Sequence, residues 1–221
     1  MIPPLFDEKP DGDDEIMEAV SARPRRWNHN LHYHRVILDA VPDGCRGSLD
    51  VGCGKGMLAR ELRRIVPHVT GIDRDAASID VARRVGDYAD LEYIVGDFMT
   101  HPFEPASFDH IASIAALHHM DAAAALDRMR ALLAPGGTLA IVGLARSRSP
   151  GDLGYDLAGA VATRAHKLRK AHWETSAPKL WPPPETYGQV RRIARRTLPG
   201  SRYHRHMLFR YSLTWAKPLA D

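Results

Sequence analysis

Three aspartates close three short apolar runs in the first half of this sequence: Asp50 in "SLDVGCGKGML", Asp73 in "GID" and Asp97 in "VGDF". Gly52, Cys53, Gly54 and Gly56 follow the first of them and form a loop whose backbone can approach a ligand closely. An acid placed directly before a glycine turn repels a pyrophosphate. It suits a ligand with a cationic end, whose diol would donate to Asp73 and whose amino-purine would donate to Asp97, with Phe98 beside the ring. Hydrogen bonds to a charged acceptor contribute roughly 1.5–3 kcal/mol each, so such a set can hold a ligand of this type. Arg74 and Ile114, at neighbouring strand ends, complete the contacts expected on this side. The spacing excludes two commoner loops. A dinucleotide fingerprint needs Gly-x-Gly-x-x-Gly, whereas position 57 is Met, and a phosphate loop needs Gly-Lys-Ser/Thr, whereas Lys55 precedes Gly56.

Two further clusters carry groups able to move a proton or enclose an acceptor. "ALHHM" offers His118 and His119, whose ordinary pKa lies near neutrality as a general base requires. "WNHNLHYH" offers Trp27, Asn28, His29, Asn30, His32, Tyr33 and His34 on an expected helix from Trp27 to Val41. On such a helix Asn28 and His32 share one face, as do His29 and Tyr33. The histidines lack an i, i+4 pair with a distant third ligand, so no metal is expected. Trp173, Trp181 and Tyr187 lie around the rigid Trp181-Pro182-Pro183-Pro184 corner and suit a lid over a flat acceptor.

The elements that must position these residues alternate in type. Apolar runs at Ser48–Val51, His68–Ile72, Leu91–Val95, Phe108–Ile114 and Thr138–Leu144 read as strands. Helical patterns at Met57–Ile65, Ala76–Val85 and from an Asp121 cap to Ala134 separate them, with Pro135-Gly136-Gly137 as a turn. That rhythm specifies an α/β, doubly wound parallel sheet with helices on both faces and its ligands beyond the carboxyl ends of the strands. After Leu144 the rhythm breaks. A helix at about Glu185–Leu198 precedes two runs, Arg202–Phe209 and Tyr211–Ala216, too close for a crossover and so expected to pair antiparallel. Residues 1–26 are Pro-rich and acidic and read as a flexible arm or lid. Residues 27–221 read as one domain with an insert on the substrate side at about 145–185.

A chain of 221 residues can bury one good core, and its net charge of +3 is slight but uneven. Residues 7–18 are acidic, while Arg191, Arg192, Arg195, Arg196, Arg202, Arg205 and Arg210 crowd the C-terminal part. Those arginines read either as a solvated helix face with strand ends or as a track for nucleic-acid phosphates. Cys45 and Cys53 read as free thiols in a reducing compartment. With no leader pattern and no apolar run near the ~20 residues that span a bilayer, a cytoplasmic location without membrane contact is expected. Oligomeric state is left open.

Taken in order, "LDVGCGKG", "GIDRD", "VGDF", "FDHIASIAALHHM" and "LLAPGGTLAIVGL" resemble the successive motifs of the class I S-adenosylmethionine-dependent methyltransferases. S-adenosylmethionine has the three parts inferred above. The resemblance covers residues 27 to 144 well and the terminal hairpin fairly. It implies a Rossmann-like seven-stranded sheet, mostly parallel with an antiparallel last strand, S-adenosylmethionine as cofactor and S-adenosylhomocysteine as product. In similar enzymes the helix before the glycine loop closes over the methionine end of the cofactor, which places Tyr33 with the cofactor. Trp27, Asn28, His29, His32 and Trp181 are then expected on the acceptor side, and His118 or His119 as the base. A small-molecule acceptor is the first expectation, because the fourth strand is not followed by the Asn/Asp-Pro-Pro-aromatic motif of enzymes acting on nucleobase or glutamine amino groups. RNA methylation along the arginine-rich stretch ranks second, and a cofactor-binding module without turnover third.

Overall fold

The computed structural model describes residues 26–27, 30–86, 88–148, 152, 154–155, 164, 171–172 and 182–219. Seven strands form one sheet: β1 (Gly47–Val51), β2 (His68–Asp73), β3 (Leu91–Val95), β4 (Phe108–Ile114), β5 (Leu133–Gly143), β6 (Arg202–His206) and β7 (Arg210–Ala216). Their spatial order is β3-β2-β1-β4-β5-β7-β6. The first five are parallel. β7 runs against both β5 and β6, as the short connection between the last two runs requires. The chain works outward from β1 to β3 and then crosses to β4 on the other side of β1. The carboxyl ends of β1 and β4 therefore border the crevice where such sheets bind ligands.

Strand periodicity divides the core between the two faces of the sheet. In β5, Leu139 and Ile141 join one apolar cluster while Ala140 and Val142 join the other. The first face is covered by α4 (Ala122–Leu132) and α5 (Tyr187–Thr197) through Leu126, Met129, Val190 and Ala194. The second is covered by α1 (His34–Leu38), α2 (Met57–Leu62) and α3 (Ala76–Arg84) through Ile37, Leu58, Leu62 and Ile79. Each later helix starts where its sequence supplies a cap. Asp75 accepts from the Ala77 amide, Asp121 accepts from the Ala124 amide at 2.8 Å, and Thr186 and Gln189 form a capping box. Caps of this kind stabilise a helix by about 1 kcal/mol each.

Four expectations need correction or placement. The helix expected over Trp27–Val41 is a 3-10 turn at Leu31–Tyr33 followed by α1 alone, while Arg26–Trp27 pair in parallel with Ala171–His172. Pro135-Gly136-Gly137 is no free turn but part of β5, and Gly136 and Gly137 continue its ladder to Lys217. The base of the 145–185 insert is closed, since the Arg146 amide donates to the Glu185 carbonyl at 2.8 Å and Tyr187 donates back to Arg146. Residues 1–25 of the expected arm, most of the insert interior, Asn28, His29, Trp173 and Trp181 lie outside the described residues.

Candidate active site

The loop after β1 turns on glycines that no other residue could replace without strain. Gly52, Gly54 and Gly56 have φ of +75°, +51° and +72°. A Cβ on Gly52 would stand 2.3 Å from the Ala116 Cβ, and one on Gly56 2.2 Å from the Tyr93 hydroxyl. Gly54 has nothing within 4 Å of such an atom. Its amide donates to Oδ2 of Asp73 at 2.8 Å, while Oδ1 of Asp73 accepts from the Asp75 amide at 2.9 Å. Both oxygens keep a lone pair for a second donor. Asp97 is held similarly, with Oδ1 accepting from the Met99 amide at 2.9 Å and Arg74 3.9 Å from Oδ2.

Asp50 is only 2% exposed, and its Oδ2 has no hydrogen-bond partner. Burial, reinforced by the charge of Asp73, pushes its pKa up to about 7. A buried carboxylate oxygen without a donor is costly, and a cationic donor would satisfy it.

These groups border one cavity of about 460 Å³. Asp50, Gly52, Cys53, Gly54, Asp73, Arg74, Asp97, Phe98, Ile114 and His119 all line it. Gly56 does not; it is the left-handed N-cap of α2, packed on Tyr93. Tyr33 also lies off the cavity, buried, with its hydroxyl donating to the Met207 carbonyl at 2.6 Å. His32 is exposed and meets the Tyr33 ring edge-on. In their place Asn30, Leu31 and His34 face the cavity. The 3-10 turn accounts for this, because three residues per turn shift the phase that a continuous helix would have had. His34 is anchored by Glu61, 3.0 Å from its Nδ1, and that contact holds the Glu61 carboxyl below its usual range.

The two histidines after β4 differ sharply. His119 lines the cavity, and burial lowers its pKa against the opposing pull of Asp73. His118 is buried behind it, the rings 4.1 Å apart, with Nδ1 unpartnered and its pKa lowered to about 4, first by burial. Sequence reasoning also passed over Lys55, Met57, Ser78 and Met120, and the segment Ala115–Ala116, all of which line the cavity. Ala115 has φ of +55°, a conformation that brings Ala116 against Gly52. Nothing in the letters signals that turn. Among the described residues no group of three His, Cys, Asp or Glu side chains is placed to hold a metal ion.

The residues present fit S-adenosylmethionine. The unpartnered Oδ2 of Asp50 suits its ammonium, the spare lone pairs of Asp73 its ribose diol and Oδ2 of Asp97 its adenine amine. Phe98, Ile114 and Met120 supply apolar walls.

Residues 49–141 match the family described as a methyltransferase domain. Over 194 residues the chain is 39% identical to an uncharacterized methyltransferase of Mycobacterium bovis, a match spanning 87% of this chain and 98% of that protein. It is 32% identical over 148 residues to a phthiotriol/phenolphthiotriol dimycocerosates methyltransferase of Mycobacterium ulcerans, spanning 66% of this chain and 54% of the relative. The Haloferax volcanii complex of the Trm112 methyltransferase activator with a methyltransferase matches with a TM-score of 0.63 at 18% identity, over 95% of this chain and 96% of that one. At that identity the last likeness speaks for the fold alone.

Proposed function

This chain belongs to the class I S-adenosylmethionine-dependent methyltransferases, and from that premise we propose that it transfers the sulfonium methyl to a small-molecule acceptor by in-line displacement. The observation that carries the cofactor's placement is the meeting of Asp50, Asp73 and Asp97 in one cavity, with a buried oxygen of Asp50 left without a donor. When bound, the cofactor supplies an electrophilic methyl group. The chain's own share is to hold the acceptor in line with it, and positioning of this kind can account for roughly 7–11 kcal/mol of a barrier. His119 is the proposed base for the acceptor's proton, since it reaches the cavity and its lowered pKa keeps the imidazole neutral near pH 7.

Two observations support a small acceptor. The arginine-rich stretch is divided: Arg191, Arg192, Arg195, Arg196 and Arg202 are exposed, whereas Arg205 pairs with Asp152 and Arg210 is buried, so the last two are withdrawn from any phosphate track. The Mycobacterium ulcerans relative, moreover, is named for dimycocerosates, which are not nucleic acids. The test is incubation of the purified protein with methyl-labelled S-adenosylmethionine and a fractionated bacterial lysate. Label in the small-molecule fraction is expected. Label in RNA would overturn the acceptor assignment, and absence of label with intact cofactor binding would favour a module without turnover.

A further inference from the structure

Two arginines of the β6–β7 hairpin hold their guanidinium groups largely out of water, and the protein treats them differently. Arg205 of β6 is ion-paired with Asp152, and its guanidinium lies 3.4 Å over the Tyr187 ring. Arg210 opens β7. Its neighbour Tyr211 pairs with Gly143, the last residue of β5. Because β7 runs against β5, its start lies at the edge where the parallel strands end, the edge that also carries Asp50, Asp73 and Asp97. Arg210 is only 9% exposed. Nη2 donates to Oδ1 of Asn30 at 3.0 Å and Nη1 donates weakly to the Phe209 carbonyl at 3.4 Å, while Nε has no partner. Among the described residues no carboxylate pairs with it. The side chains that face its charge are Tyr33, Tyr187 and His118, and burial keeps Tyr33 and His118 uncharged at neutral pH.

A guanidinium taken out of water without a counter-charge destabilises a fold, and a buried ionisable group beside a cleft is a candidate for a functional site. Arg210 stands one residue behind the cavity wall. Asn30, which accepts its hydrogen bond, lines the cavity, and so does His119, whose ring lies 4.1 Å from that of His118. Asp73, Asp97 and Phe98 are assigned to the nucleoside, so this half of the site receives the methionine end of the cofactor, its ammonium on Asp50, and the acceptor beside it. On the proposed function, therefore, we infer that Arg210 selects the acceptor: the small molecule methylated here carries a carboxylate that reaches past Asn30 to the guanidinium. One carboxylate would balance the Arg210 guanidinium, as Asp152 does for Arg205. Charge-assisted hydrogen bonds then fix the acceptor's orientation toward the methyl group.

The test is calorimetric titration of benzoate and of its neutral isostere benzamide into protein saturated with S-adenosylhomocysteine. The wild type should bind benzoate at least tenfold more tightly than benzamide. Arg210→Gln should lose that preference, keep its S-adenosylhomocysteine affinity and unfold at no lower temperature, because an uncompensated charge has been removed. Arg210→Lys, which keeps the charge, should retain part of the preference and decides the matter if the glutamine variant does not fold. Equal affinity for the two probes, no heat from benzoate, a preference that survives in Arg210→Gln, or a loss of S-adenosylhomocysteine affinity in that variant, which would give the guanidinium to the cofactor's own carboxylate, would overturn the assignment. In each of those cases, label entering small molecules would leave methyl transfer standing, whereas loss of S-adenosylhomocysteine binding by the wild type would overturn the underlying reading.

Discussion

The Asp50 carboxyl lies beneath the glycine loop with one oxygen unpartnered, and its burial should give cofactor binding a pH dependence. With a pKa raised to about 7, it is protonated in much of the free protein below neutrality. An ammonium beside it favours the ionised form, so binding below that pKa must release a proton. Affinity for S-adenosylhomocysteine should therefore weaken as pH falls below 7, by up to about tenfold per pH unit, and level off above it. Titrations between pH 5.5 and 8 check this, and Asp50→Asn should flatten the profile. The paired histidines separate at the same scale. His119→Ala should lower turnover by about 10²–10⁴-fold with little change in melting temperature. His118→Ala should leave turnover within a few-fold while costing about 1–3 kcal/mol of stability, read by denaturant unfolding. Equal small losses in both would leave neither as the base.

At the scale of elements, the glycine loop performs two separable tasks. Gly56 lets α2 start against Tyr93, whereas Gly54 leaves open space on the cavity side. Gly56→Ala should destabilise the fold by roughly 1–3 kcal/mol through the positive φ and the collision. Gly54→Ala should cost only about 1 kcal/mol of strain and express its effect in cofactor affinity. Thermal unfolding and calorimetry on the two variants distinguish these outcomes. The strands were legible because apolar runs bounded by turn residues have few alternatives, and β3 and β4 begin and end where their sequence patterns do. The segment before the loop was not legible to the same depth. Val36 and Ile37 satisfy a long helix and a 3-10 turn with a short helix equally well, yet only the second turns Asn30, Leu31 and His34 inward. Arg210 was hidden for a related reason. In the sequence it is one of seven arginines in a run, and only the antiparallel pairing of β7 decides that it, unlike Arg191 or Arg195, is buried.

On the scale of the whole molecule, the sheet gathers its polar residues at one edge and hides several ionisable groups to do so. Burial lowers His110, His118 and His206 to about 4. As pH falls through 6.5 the unfolded chain takes up protons at these rings while the folded chain does not, so their contribution to stability is lost between about 6.5 and 4. Asp50 and Glu185 act in the opposite sense, since a raised carboxyl pKa favours the folded state increasingly as pH falls, but His119 joins the three histidines on the other side. The ligand-free protein should therefore melt at a lower temperature at pH 5 than at pH 7 by scanning calorimetry. The most direct test of the cofactor site that unites these residues is a calorimetric titration of S-adenosylmethionine into the wild type and into Asp73→Ala at pH 7.5. The wild type should bind with roughly micromolar affinity. The variant, having lost the carboxylate that fixes the Gly54 amide and is proposed to take the ribose diol, should bind at least tenfold more weakly. Unchanged affinity in Asp73→Ala, or no binding by the wild type, would contradict the placement of the cofactor in this cavity.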